Sequence, residues 1–120
     1  MNNKTIGKYG EEIAQEYLKK QGFQIVETNY RYSKVAEIDI IAQKNDVVHF
    51  IEVKTRSNSL FGSPLEAIGH TKLNSIYKAA CSYLQTTKKR YKTIKIDAIG
   101  IILNGTNEPD INFLEDISLN

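Results

Sequence analysis

Two apolar runs carry charge where a strand interior should have none: Glu37-Ile38-Asp39-Ile40-Ile41 and, after a short turn, Phe50-Ile51-Glu52-Val53-Lys54. Alternate residues of a strand share a face, so Glu37 sits with Asp39 and Glu52 with Lys54. Carboxylates among Ile, Val and Phe work against strand propensity and cost desolvation free energy. A divalent cation held between the two runs would remove the conflict, so this chain must fold around a reason for those charges.

The remaining composition sets bounds. With 120 residues, 41% hydrophobic and 25% charged, the chain reads as one domain able to bury a core without disulfides or a structural metal. The single Cys81 has no intramolecular partner for a disulfide, and no apolar run approaches a membrane span or a signal-peptide core, so a cytoplasmic protein with no membrane partner is expected. A net charge of +2 excludes little, but its distribution is uneven. Lys72, Lys78, Lys88, Lys89, Arg90, Lys92 and Lys95 form a basic flank without acids, and the tail from Ile96 holds Asp97, Glu108, Asp110, Glu115 and Asp116 without a base. A solvated surface with an acidic end explains the same pattern.

In chain order, Gly7 to Gln21 has the periodicity of a helix, with Ile13, Ala14, Tyr17 and Leu18 as its apolar stripe and Gly22 as its stop. Glu11 and Glu12 fall in its early turns, where the helix dipole favours carboxylates. Phe23 to Glu27 alternates as a first strand, residues 36 to 42 as a second and Val47 to Thr55 as a third, the last two joined in a hairpin by Gln43 to Asp46. After a loop from Ser57 to Ser63, the Ser63-Pro64-Leu65-Glu66 start signal opens a helix expected to run to about Leu84, buried through Leu65, Ile68, Ile76, Ala80, Tyr83 and Leu84. Thr93 to Leu103 and Ile111 to Ile117 read as the last two strands. The order α-β-β-β-α-β-β predicts an α/β fold: a central mixed sheet of about five strands, its hairpin antiparallel, its crossover pair parallel, and helices on both faces.

Asp39, twelve intervening residues and then Glu52-Val53-Lys54 place a carboxylate on one strand and a carboxylate with an ammonium on the next, at positions that converge where strands diverge. Converging oxygen ligands suit Mg²⁺ or Mn²⁺. Such an ion neutralises charge on a phosphate and acidifies water, and a lysine nearby can orient that water, which is phosphodiester hydrolysis chemistry. On its own the pattern is weak, since a Glu–Lys salt bridge at i and i+2 explains it equally well.

Gly7-Lys8-Tyr9-Gly10-Glu11-Glu12-Ile13-Ala14, Gly22-Phe23, Asn29-Tyr30-Arg31, Glu37-Ile38-Asp39-Ile40-Ile41-Ala42, Ile51-Glu52-Val53-Lys54-Thr55-Arg56 and Pro64-Leu65-Glu66-Ala67-Ile68 together resemble the YraN family over nearly the whole chain up to about Gly100. That family is similar to archaeal Holliday-junction resolvases and to the wider PD-(D/E)xK nucleases. The resemblance implies a single restriction-endonuclease-like domain over residues 1–120 and a metal-dependent endonuclease acting on branched or structured DNA. By position it makes Asp39 and Glu52 metal ligands, Lys54 the catalytic lysine and Glu11 the acid that completes the site, with Gly7-x-x-Gly10-Glu11 favouring Glu11 over Glu12. Ala36 stands where the pattern expects glycine, a change that removes no ligand.

Arg31, Arg56 and Lys72 flank the proposed site and are candidate phosphate contacts, with Lys88, Lys89 and Arg90 following a backbone further out; for each, a plain surface charge is the alternative. Tyr30, Tyr32 and Phe61 can stack on unpaired bases or anchor the fold. Glu37 shares the Asp39 face as a supporting acid or a solvated strand end. His49, opposite Glu52, reads as structural, and Cys81 as a small core residue. No small-molecule cofactor is expected, symmetric junction cutting would suit a homodimer, and the competing expectation is a non-catalytic nucleic-acid-binding module on the same fold.

Overall fold

A computed structural model describes residues 2–34, 36–60 and 62–117. Helix α1 spans Asn3–Lys20, strands β1 Gln24–Arg31, β2 Glu37–Lys44 and β3 Val47–Arg56; a 3₁₀ turn at Pro64–Ala67 precedes helix α2 (His70–Thr86), and β4 Thr93–Ile102 and β5 Asp110–Leu114 follow. The five strands lie in sequence order in one open mixed sheet, antiparallel except for the β3–β4 pair, with β3 at its centre. The fold is α/β, as the strand and helix patterns implied. No helix of the described residues is long and apolar enough to cross a membrane.

Alternation along β3 separates two cores. Val48 and Phe50 face Leu73, Ile76, Ala79, Ala80 and Tyr83 of α2. Ile51 and Val53 face Ala14 and Leu18 of α1, joined by Ile99 and Ile101 of β4. Helices therefore cover opposite faces of the sheet, and β3 is apolar on both sides because both are covered. The β2–β3 hairpin closes through Asn45 and Asp46, both at positive φ (52° and 64°), the conformation of a two-residue type I′ turn.

Two helix boundaries differ from the sequence expectation. α1 begins at Asn3, capped by the Asn2 side chain, which accepts the Thr5 N–H at 2.9 Å. Glu11 thus lies in the third turn, too deep for the dipole to explain it. The helix ends as expected: the Gly22 N–H bonds Lys19 O and the Phe23 N–H bonds Leu18 O, with Gly22 at φ +93°, a Schellman stop. The second helix is not continuous from Pro64. Ile68 and Gly69 are extended and break it into the 3₁₀ turn and α2. The turn is pinned against β4: a Cβ on Gly100 would stand 3.0 Å from Leu65 Cγ, so the absence of that carbon lets Leu65 seat on the strand. A straight helix would lift it off.

Gly10 makes the corresponding close approach on α1. An added Cβ would fall 1.8 Å from Thr55 Oγ1, which means α1 rests directly on the C-terminal end of β3.

Candidate functional site

The strands part where the charges lie. The β2–β3 ladder runs from Lys44↔Val47 to Ile40↔Ile51 and stops there, one residue short of the Asp39 and Glu52 positions. On the other side β2 remains paired with β1 through Thr28↔Ile40 and Tyr30↔Ile38, with Asn29 at φ +52° opposite Asp39. The side-chain alternation slips at the same point: Ile40 and Ala42 join the α1-side core, whereas Ile38 joins the α2-side core. The Val53 N–H, freed from the ladder, donates instead to Asp39 Oδ2 at 2.8 Å. The divergence opens a gap that side chains from both helices reach.

Glu11 enters the gap from α1, Glu37 and Asp39 from β2, Glu52 from β3 and Lys72 from α2. Asn29 Nδ2 donates to Glu11 Oε1 at 3.0 Å and to Glu37 Oε1 at 3.1 Å, tying the helix acid to the strand acid. Arg31 pairs with Glu37 Oε2 at 2.9 Å. Lys72 Nζ lies 3.0 Å from Glu52 Oε2, and that carboxylate is buried, with its residue 2% exposed. The contact is ionic: Oε2 meets no donor in hydrogen-bonding geometry.

The electrostatics are those of acids forced together. Burial, then the hydrogen bond to Glu52 and its charge, push the Asp39 carboxyl up to about 9, against the opposing pull of the Val53 N–H. Asp39 therefore keeps its proton at neutral pH in the metal-free protein. Burial also raises Glu11, with Glu37 and Glu52 adding to the shift while the Asn29 hydrogen bond opposes it. Burial alone would lower Lys72, but attraction to Glu52, Asp39 and Glu37 outweighs it and holds the ammonium charged. Among the described residues no group of three or more His, Cys, Asp or Glu side chains is placed so that it could hold a metal ion as the side chains stand. Glu52 is taken up by Lys72 and Glu11 by Asn29.

Of the residues singled out in the sequence, Glu11, Asp39, Glu52, Glu37 and Lys72 are brought together, and Glu12 stays outside, beside an exposed groove with Lys4, Thr5, Lys8 and Tyr9. Lys54 makes no ion pair with the acids. It lines an adjoining cleft of about 390 Å³ with Thr55, Arg56, Ser57 and Asn58 of β3 and its following loop, Gly7 of α1 and Pro64 of the 3₁₀ turn. That cleft holds two cations and no acid, and among the described residues the buried Thr55 Oγ1 and Arg56 Nε have no hydrogen-bond partner. Lys88, Lys89 and Arg90 lie at the hairpin end of the sheet, where Lys89 bonds Gln43. Five residues of β3 separate that end from Glu52, about 17 Å, so these cations are remote from the acids.

Tyr30 is an anchor: its hydroxyl meets Ser82 Oγ at 2.9 Å and its ring stands edge-on to Tyr83. Tyr32 is exposed, and Phe61 falls outside the described residues. Cys81 is half-buried rather than a core residue, and lines a shallow groove on α2. His49 lies on the α1 side, where its Nδ1 meets Asp97 Oδ2 at 2.5 Å and Phe23 closes over the ring. Asp97 Oδ1 also accepts the Asp116 N–H at 2.8 Å, so this buried pair fastens the acidic tail to the sheet. Sequence reasoning missed the bridging role of Asn29, named there only within the Asn29-Tyr30-Arg31 motif, and the pairing of Lys72 with Glu52. An asparagine just ahead of an acidic strand was the available signal for the first, because asparagine tolerates positive φ.

Comparison with known proteins places the chain among relatives of matching length. It is 50% identical over 104 residues to a UPF0102 protein of Dictyoglomus thermophilum, covering 87% of each chain. It is 43% identical over 115 residues to a UPF0102 protein of Clostridium kluyveri, covering 95% of this chain and 93% of that one, and 39% identical over 101 residues to one of Syntrophomonas wolfei, covering 84% and 87%. Residues 10–101, which carry α1 from Gly10, the diverging strands, Lys72 and β4, match the uncharacterised protein family UPF0102, and the chain belongs to that family.

Proposed function

We propose that this protein is a Mg²⁺- or Mn²⁺-dependent endonuclease with a restriction-endonuclease-like core, acting on branched or otherwise distorted DNA. The observation that carries the reading is the crowding of Asp39 against Glu52 at the point where β2 leaves β3, with Glu11 near enough for its charge to add to the rise of the Asp39 carboxyl. The donor types suit a hard divalent ion: the carboxylates of Glu11, Asp39 and Glu52, with no thiolate or imidazole among them. One of their oxygens, Glu52 Oε2, is at present held by the Lys72 ammonium at 3.0 Å. When bound, such an ion supplies positive charge for the phosphoryl oxygens and lowers the pKa of the attacking water. Asp39 and Glu52, with Glu11 from the opposite helix, would hold it.

The chain's own groups do the rest. The Val53 N–H orients the Asp39 carboxyl and Asn29 fixes Glu11. Lys54, on the wall of the adjoining cleft, orients the attacking water or the scissile phosphate, and Arg56 beside it holds the backbone on one side of the cut.

A second reading, a non-catalytic nucleic-acid-binding module, draws on Lys54, which lines the adjoining cleft instead of pairing with the acids, and on Lys72, which already occupies Glu52. Labelled four-way junction, flap, single-stranded and duplex DNA, incubated with Mn²⁺ and either wild type or the Glu52→Ala, Lys54→Ala double variant, separates the two. Cutting by wild type alone upholds the nuclease. Binding by both proteins with cutting by neither establishes the module.

A further inference from the structure

Lys72 stands where a helix disfavours it. It is the third residue of α2, at the end of the helix whose dipole repels cations, and the Gly69 cap offers no side chain. Its ammonium nonetheless lies 3.0 Å from a carboxylate oxygen in the middle of the acid cluster, with 35% of its side-chain surface still open to solvent, whereas Glu52 has 3%.

We propose that Lys72 is the resident counter-cation of the acid site, seated on Glu52 where a divalent ion must bind, so that metal entry requires the ammonium to swing out along its open side. This rests on the metal-site reading above. A divalent ion on Glu52 and an ammonium at contact distance from the same carboxylate repel one another, and in a partly buried site that repulsion is far stronger than in water. The ion pair therefore competes with metal, and α2 carries a device that offsets the charge of Glu52 at the cost of metal affinity. Once displaced, the ammonium is free for an incoming phosphate, which links metal loading to substrate contact through one side chain.

Calorimetric titration with MnCl₂ of wild type, Lys72→Met and Lys72→Gln tests the device, with Lys78→Met, an exposed lysine of the same helix, as control for net charge. Both Lys72 variants are expected to bind Mn²⁺ at least about tenfold more tightly than wild type, the scale of one lost competing ion pair, and Lys78→Met no more than about twofold. In EDTA the Lys72 variants should melt below wild type, and saturating Mn²⁺ should abolish that deficit. Equal or weaker Mn²⁺ binding by both Lys72 variants overturns the counter-cation and leaves the metal site standing. No saturable binding by any of the four proteins overturns the metal site and the counter-cation together.

Discussion

Replacing Asp39 by asparagine removes the group on which the acid cluster presses hardest. In the folded metal-free protein the Asp39 carboxyl is pushed up to about 9 from an ordinary 3.8. A folded pKa above the unfolded one means that the group's contribution to stability is complete below about pH 4 and is lost as pH rises, by about 1.4 kcal/mol per unit, until the folded pKa is passed. At pH 7 the loss has an upper bound of about 4 kcal/mol. Asp39 keeps some solvent contact, which screens the repulsion and reduces the gain on substitution to about 1–2 kcal/mol, or roughly 3–8 °C in melting temperature for a chain of this size. The amide introduced by Asp39→Asn would still donate to Glu52. Melts followed by circular dichroism in EDTA from pH 4.5 to pH 8 should show Asp39→Asn gaining on wild type as pH rises, with almost no difference at the acid end, and Mn²⁺ should stabilise only wild type. A difference that does not change with pH, or a variant less stable at pH 8, would refute the electrostatic reasoning.

Three further substitutions probe other parts of the account. Gly10→Ala places a carbon against Thr55 Oγ1 and should cost about 2–3 kcal/mol in urea unfolding; an unchanged midpoint would mean that α1 does not rest on β3 there. Asp97→Ala strips the buried His49 of its partner and frees the Asp116 N–H, so a loss of about 3 kcal/mol is expected with Mn²⁺ affinity unaltered; weakened Mn²⁺ binding would show that the pair communicates with the acid site. Arg56→Gln should weaken junction binding at every ionic strength and flatten the salt dependence by about one counterion, and an unchanged slope would remove Arg56 from the phosphate path.

Much of this arrangement was legible in the residues because each element's periodicity agreed with its place. β3 is apolar on both faces and lies in the middle of the sheet; Asn45-Asp46 supplies two residues that tolerate positive φ; Gly22 stops α1. What escaped was set by contacts between elements. Gly69 breaks the second helix because Leu65 is held against Gly100, a residue distant in sequence. The Asp39–Glu52 convergence was foreseen as a place where strands diverge, but the partner of Glu52 was not: spacing along β3 pointed to Lys54, and the fold delivers Lys72 from the opposite helix. Two residues along a strand share a face without sharing a contact once the ladder ends and the backbone twists away. Asn29 was hidden for a similar reason, since its bridge between Glu11 and Glu37 joins three elements.

In the proposed function Glu11, Asp39 and Glu52 together hold one divalent ion. Electron paramagnetic resonance of free Mn²⁺ during titration measures the number bound per chain and its affinity directly, for wild type and for Glu11→Gln, Asp39→Asn and Glu52→Gln. One saturable site per chain is expected in wild type, weakened by each substitution and most by Asp39→Asn and Glu52→Gln. Mn²⁺ binding that all three substitutions leave unchanged, or no saturable site in wild type, would contradict it.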